Sequence, residues 1–208
     1  MIGYVRFGKR LFDLAIVVPF ALAALPTLLL VAALVRVVLG APVLFRQERP
    51  GLDGRPFTLV KFRTMADTKD AQGHLLPDAE RLGRLGRLLR NLSVDELPEI
   101  WNVLRGEMSM VGPRPLLMQY LGRYNAEQRR RHEVRPGLTG WAQLNGRNAI
   151  SWERRFELDV WYVDHVSFLL DVRILLGTIW AVLSRRDIAA KGQATAREFM
   201  GSNSCASS

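Results

Sequence analysis

Hydrophobic and polar positions are divided unevenly along the chain. Residues 14–35, LAIVVPFALAALPTLLLVAALV, are 22 positions without a charge, long enough as a helix to match a hydrocarbon layer of roughly 30 Å. Arg6, Lys9 and Arg10 precede this run and Arg36, Arg46 and Arg49 follow it. The usual excess of Lys and Arg on the cytoplasmic flank therefore does not select a translocated end. Pro19 and Pro26 lie inside the run, and Pro26, near its middle, removes a backbone donor and bends a helix. A re-entrant hairpin and a kinked spanning helix both satisfy this pattern. A secretory signal peptide does not: the apolar stretch exceeds an h-region of roughly 7–15 residues, and no clear small-residue cleavage site precedes Arg36.

Beyond this segment the period shortens. Residues 43–49 (VLFRQER) and 57–65 (FTLVKFRTM) favour β structure and are separated by Gly- and Pro-rich residues, which predicts a hairpin. Residues 66–77 are polar and predict a loop. The stretch 80–92, ERLGRLGRLLRNL, puts Leu82, Leu85, Leu88, Leu89 and Leu92 on one side of a helix and Arg81, Arg84, Arg87 and Arg90 elsewhere around it. Such a helix suits a membrane interface or a core, and its two glycines weaken it. Residues 152–164 predict another helix, whose Asp159, Trp161 and Tyr162 fit core, pocket or interface. Residues 168–183 are apolar apart from Asp171 and Arg173, which suits an interfacial or buried helix better than a second span. The fold class is mainly α with a small β-hairpin.

Charge adds a class of partner. With 29 Lys and Arg against 20 Asp and Glu, the net charge is +9, which points to nucleic acid, an anionic membrane surface or phosphorylated substrates. The single Cys205 forms no internal disulfide, and a reducing compartment follows. His74, His132 and His165 have no metal-ligand spacing.

Chemistry concentrates in residues 93–115, SVDELPEIWNVLRGEMSMVGPRP. Ser93 and Glu96 have the spacing of a capping box, in which Glu96 bonds the N-cap amide and Asp95 complements the helix dipole. The functional alternative is that two adjacent carboxylates hold Mg²⁺ through hard oxygens, one of them acting as a nucleophile toward phosphorus. In Gly112-Pro113-Arg114-Pro115 the prolines stiffen the backbone around a guanidinium, a means of presenting a planar cation to phosphate oxygens. Residues 135–147, RPGLTGWAQLNGR, form a Gly-rich region that ends in a second candidate phosphate ligand, Arg147.

The order KRLFD (9–13), KFRTM (61–65), DELPE (95–99), MVGPRP (110–115) and RPGLTGWAQLNGR (135–147) resembles the bacterial sugar transferase family, the monotopic phosphoglycosyl transferases, over about residues 9–201. NGRNAISW and KGQAT make the chain most similar to the small subgroup that starts N-linked or general O-linked protein glycosylation. The resemblance implies transfer of a sugar-1-phosphate from a UDP-sugar to undecaprenyl phosphate with release of UMP. An N-acetylated donor such as UDP-diacetylbacillosamine is expected. It also implies Asp95 as nucleophile, Glu96 as Mg²⁺ ligand or proton acceptor, and both carboxylates as the metal site. It further implies that Arg114, held between Pro113 and Pro115, binds substrate phosphate, with Arg147 and Arg63 as further ligands.

The same resemblance implies a re-entrant helix over residues 1–40 with both ends cytoplasmic, a catalytic domain over 41–201 on the membrane surface, and a flexible tail over 202–208. The cytoplasmic face of the bacterial inner membrane follows as the location, with anionic lipid and a homodimer partner among the expected contacts. Nucleic acid is not an expected partner. A non-catalytic membrane scaffold and a membrane-anchored nucleic-acid binder are the alternative classes, although basic residues interleaved with apolar ones form no recognised nucleic-acid module.

Overall fold

The computed structural model describes Tyr4 and residues 8–146, 150–184 and 198–201. Arg147, the KGQAT segment and the expected tail over 202–208 lie outside the described residues. The structure is mainly helical, with the expected hairpin and a second small sheet that the sequence pattern did not reveal.

Helix α1, Lys9–Val38, runs through both Pro19 and Pro26. Among the described residues it is the one helix long and apolar enough to cross a membrane. Its buried positions, Asp13, Val17, Ala24, Val31 and Val35, are spaced four and seven apart and so fall on one face. The opposite face is open: Leu22 and Leu29 are 70% and 64% exposed. Contiguous exposed apolar surface on this scale marks a membrane or partner contact.

Both ends of α1 are tied to the same body. At the N-terminal end Arg10 donates to the Val103 and Leu104 carbonyls at 2.6 and 2.7 Å, while Asp13 accepts from Ser109 Oγ and the Met110 amide at 2.9 and 3.0 Å. Lys9 reaches Asp171 at 2.8 Å. Tyr4 and Tyr162 donate to the same carboxylate at 2.6 and 2.7 Å. At the C-terminal end the Leu39 and Gly40 carbonyls accept from Arg63. Terminal carbonyls of a helix lack intrahelical donors, and a guanidinium satisfies them with favourable charge.

Strands β1, Leu44–Pro50, and β2, Pro56–Phe62, pair antiparallel from Leu44 opposite Phe62 to Pro50 opposite Pro56. Their turn uses Asp53 and Gly54 at positive φ. On β2 the alternate positions Phe57, Leu59 and Lys61 share one face. Phe57 and Leu59 enter the main core with Val17, Ile100, Val103, Met108, Val111 and Ile174.

The helix expected over 80–92 is two pieces, α2, Asp78–Arg81, and α3, Arg84–Asn91, with extended backbone at Gly83 between them. Gly86 packs so closely on the Thr64 carbonyl that a Cβ there would fall 1.9 Å from the oxygen. Leu89 is buried, whereas Leu88 and Leu92 are half exposed, so the leucines do not form a single buried stripe.

A 3₁₀ segment, Val94–Glu99, leads into α4, Ile100–Arg105. Buried Asn102 locks α4 to β2, donating to the Thr58 carbonyl at 2.7 Å and accepting from the Val60 amide at 3.2 Å. The second sheet pairs β3, Ser109–Val111, parallel with β4, Gly137–Thr139. It is followed by α6, Trp141–Leu144, after the short α5, Ala126–Arg129. Helices α7, Trp152–His165, and α8, Phe168–Leu183, agree with expectation and start at Ser151 and Ser167, whose side chains cap them. Their Asp159 and Tyr162 are buried, while Trp161 is partly exposed and stacks on Trp141. On α8, Ile174 is buried and Leu169, Leu176 and Trp180 face outward.

Candidate functional site

The 3₁₀ segment packs against the face of β2 that carries Lys61. Ser93 adopts a left-handed conformation and its side chain makes no cap hydrogen bond. The Glu96 carboxylate turns instead to Lys61 Nζ, 2.8 Å from Oε1, and to Arg114, whose two terminal nitrogens engage both oxygens, Nη1 at 3.2 Å from Oε2. The capping-box reading of Ser93 and Glu96 is thereby excluded, because a cation 35 residues away takes the oxygen that would return to the N-cap amide.

The pKa values of the two neighbouring carboxylates are shifted in opposite directions. Asp95 is buried, and no hydrogen bond or ion pair holds its carboxylate among the described residues. Burial pushes its pKa up and the Glu96 charge adds to this, against the attraction of Lys61, Arg90 and Arg114. For Glu96 burial acts in the same direction, but Arg114 and Lys61 outweigh it and hold the carboxyl well below its ordinary range. Arg114 is correspondingly held above its usual value by Glu96. Glu96 is an anion paired with two cations, whereas Asp95 has no such pairing among the described residues.

Lys61 also lies 2.9 Å from Glu99 Oε1, in a carboxylate only 2% exposed. Burial raises the Glu99 pKa and Lys61 opposes that shift. Neither Lys61 nor Glu99 was singled out from sequence as a site residue. The signal for Lys61 was present: a cation at the third inward position of a strand whose two previous inward residues are Phe57 and Leu59.

Arg114 owes its position to backbone. The Gly112 amide donates to the Thr139 carbonyl at 2.8 Å and the Gly137 amide to the Pro113 carbonyl at 3.0 Å. A Cβ on Gly137 would fall 2.0 Å from the Gly112 nitrogen, so this approach requires glycine. Pro113 and Pro115 are buried and lack an N–H, so they stiffen the segment. The Arg114 carbonyl accepts from Arg131 Nη2 at 2.7 Å, and Arg131 pairs with Asp159 at 2.8 Å with both groups buried.

Of the substrate ligands expected from sequence, the structure brings Arg114 to the dyad and does not bring Arg63 there. Arg63 is engaged with the Leu39 and Gly40 carbonyls and with Asp67 at 2.8 Å, at the C-terminal end of α1. Arg147 lies outside the described residues. Among those residues no group of three or more His, Cys, Asp or Glu is arranged to hold a metal by itself.

Residues 4–185 match the family model described as bacterial sugar transferase. The chain is 56% identical over 199 residues to "Uncharacterized sugar transferase EpsL" of Bacillus subtilis, covering 96% of this chain and 98% of that protein. It is 39% identical to the "UDP-galactose-lipid carrier transferase" of Erwinia amylovora, covering 86% of this chain and 41% of that protein. It is 38% identical to the "UDP-glucose:undecaprenyl-phosphate glucose-1-phosphate transferase" of Xanthomonas campestris pv. campestris, covering 88% and 40% respectively. The chain thus spans nearly the whole of the first relative and about two fifths of the other two.

Proposed function

The chain belongs to the bacterial sugar transferase family, and on that premise we propose that it moves a sugar-1-phosphate from a UDP-sugar to undecaprenyl phosphate, releasing UMP. The observation that carries this reading is the pairing of an unengaged, buried Asp95 with a Glu96 whose charge is tied by Lys61 and Arg114. An Asp95 oxygen attacks the sugar-bearing phosphorus, the bond from that phosphorus to the bridging oxygen breaks, and UMP leaves with the electron pair. The aspartyl phosphosugar is then attacked by an oxygen of the lipid phosphate, which displaces the Asp95 carboxylate and yields the sugar diphospholipid. Arg114 and Lys61 supply positive charge beside the reacting phosphorus, the main electrostatic requirement of phosphoryl transfer.

Mg²⁺ is the proposed cofactor. Asp95 and Glu96 are the residues that would hold it, through hard carboxylate oxygens. When bound, it would supply positive charge to offset that of the transferring group. An N-acetylated donor, with UDP-diacetylbacillosamine as its example, is to be assayed beside UDP-glucose and UDP-galactose.

The proposed setting is the cytoplasmic face of the inner membrane. Anchorage of both ends of α1 to one body supports a re-entrant rather than a spanning segment. The exposed apolar faces of α1 and α8 then meet lipid, and the exposed Arg84 and Arg87 of α3 meet anionic headgroups. The test is UMP release from UDP-sugars by the full chain in nanodiscs with undecaprenyl phosphate and Mg²⁺. Asp95→Asn is expected to abolish release and Arg114→Ala to depress it strongly. Normal turnover by both variants would overturn the assignment.

A further inference from the structure

Residues 198–201 return to the body and bury a phenylalanine that takes no part in the main core. Phe199 is 2% exposed. It sits in a socket of four rings, with centroids 4.9 Å away at Phe156, 5.7 Å at Tyr120 and Trp152, and 5.9 Å at Tyr124. These rings form a hydrophobic cluster separate from the one that contains Val17 and Ile174. Polar contacts seat the backbone around it: the Phe199 amide donates to Tyr120 Oη at 3.2 Å and Arg123 Nη1 donates to the Phe199 carbonyl. Arg123 and Gln119 each hold Glu198 at 2.7 Å.

Two rings of the socket also touch the support of the transfer site. The Arg131 guanidinium lies 5.8 Å from the Phe156 ring centre and 5.9 Å from that of Tyr124. That guanidinium pairs with buried Asp159 and donates to the Arg114 carbonyl at 2.7 Å. A buried guanidinium is held as tightly as its packing allows, because its planar fork has to match fixed acceptors. Removing the Phe199 ring would leave a cavity beside Phe156 and Tyr124 into which both rings can relax, taking Arg131 with them.

We propose that Phe199 is a positioning residue for sugar-phosphate transfer: by filling the Tyr120, Tyr124, Trp152 and Phe156 socket it fixes Arg131 on the Arg114 carbonyl and keeps the Arg114 guanidinium on Glu96 beside Asp95. The proposal rests on the assignment of Arg114 to the transfer site. It gives the C-terminal segment a role in the rate of the chemical step, although none of its described residues touches the dyad.

The test is a double-mutant cycle on kcat for UMP release, using the full chain in nanodiscs. Phe199→Ala is expected to lower kcat by about 10- to 100-fold, the scale of a small misplacement of a catalytic group, with little change in KM for the UDP-sugar. Phe199→Leu, which refills part of the socket, recovers most of the loss. Arg123→Ala releases the segment without hollowing the cluster, lowers kcat in the same direction, and carries the test if Phe199→Ala does not fold. In an Arg114→Ala background Phe199→Ala and Arg123→Ala cost nothing further. Losses that multiply in that background overturn the positioning role alone. Full activity of Arg114→Ala by itself overturns both this role and the assignment of Arg114.

Discussion

Replacing Lys61 by Met tests whether this lysine is the counter-charge of the carboxylate cluster. Lys61 serves both Glu96 and Glu99, at 2.8 and 2.9 Å. Glu96 keeps Arg114 when Lys61 is removed, but Glu99 loses its nearest cation while remaining 2% exposed. Breaking a buried pair by deleting one partner costs about 3–5 kcal/mol when the remaining charge stays ionised. Glu99 can escape part of that cost by taking up a proton. Its folded-state pKa is already raised by burial and rises further in the variant, so the folded protein binds more protons than the unfolded chain above the unfolded carboxyl value of about 4.3.

Stability of the variant therefore falls as pH rises, by about 1.4 kcal/mol per pH unit, until the raised folded pKa is passed. Between pH 5.5 and 7.5 the additional loss is at most about 2.7 kcal/mol on that slope. Denaturant unfolding of the detergent-solubilised chain at the two pH values measures it, and Glu99→Gln in the Lys61→Met background should remove most of the pH dependence. A loss equal at both pH values, or one that Glu99→Gln leaves unchanged, would refute the reasoning.

Two further outcomes are expected. In Glu96→Gln the repulsion on Asp95 disappears and Arg114 is freed to act on it while Lys61 stays with Glu99, so the Asp95 pKa falls. On the proposed mechanism Asp95 attacks as the carboxylate, so the acid limb of the kcat/KM profile moves to lower pH even though the maximal rate drops; an unchanged or upward-shifted limb contradicts the electrostatic assignment. In a Cys205→Ser background, single cysteines placed at Gly3 and Ala41 should both react with a membrane-impermeant thiol reagent from the cytoplasmic side only, and labelling from opposite sides would replace the re-entrant geometry with a span.

What was legible in the sequence is what local pattern controls. The hairpin follows from two β-favouring runs around PGLDGRP, and α7 and α8 follow from the composition of residues 152–164 and the apolar run 168–183. The long apolar helix α1 follows from a run of residues without charge. The candidate site was legible where residue type alone restricts the chemistry: adjacent Asp95 and Glu96, and an arginine between two prolines, which the structure brings to Glu96.

Contacts distant in sequence account for the rest. Ser93 and Glu96 match a capping box, yet Lys61 and Arg114, 35 and 18 positions away, outcompete the local hydrogen bond. KFRTM holds two cations two positions apart. The end of β2 at Phe62 sends Lys61 to the carboxylates and Arg63 to the carbonyls at the end of α1, a division set by tertiary packing. Strands β3 and β4 have three residues each, too few for alternation to register, and their pairing joins Ser109 to Gly137. Asp159 sits on an amphipathic helix with nothing nearby to identify Arg131 as its partner.

The central claim is that Asp95 carries the sugar phosphate between donor and acceptor. Incubating the enzyme in nanodiscs with UDP-sugar and Mg²⁺ but no polyprenol phosphate, followed by acid quenching and peptide mass analysis, tests it directly. The account predicts a phosphosugar adduct on Asp95 that disappears on addition of undecaprenyl phosphate and never forms in Asp95→Asn. An adduct on a different residue, or Asp95→Asn enzyme that releases UMP at the wild-type rate, would contradict it.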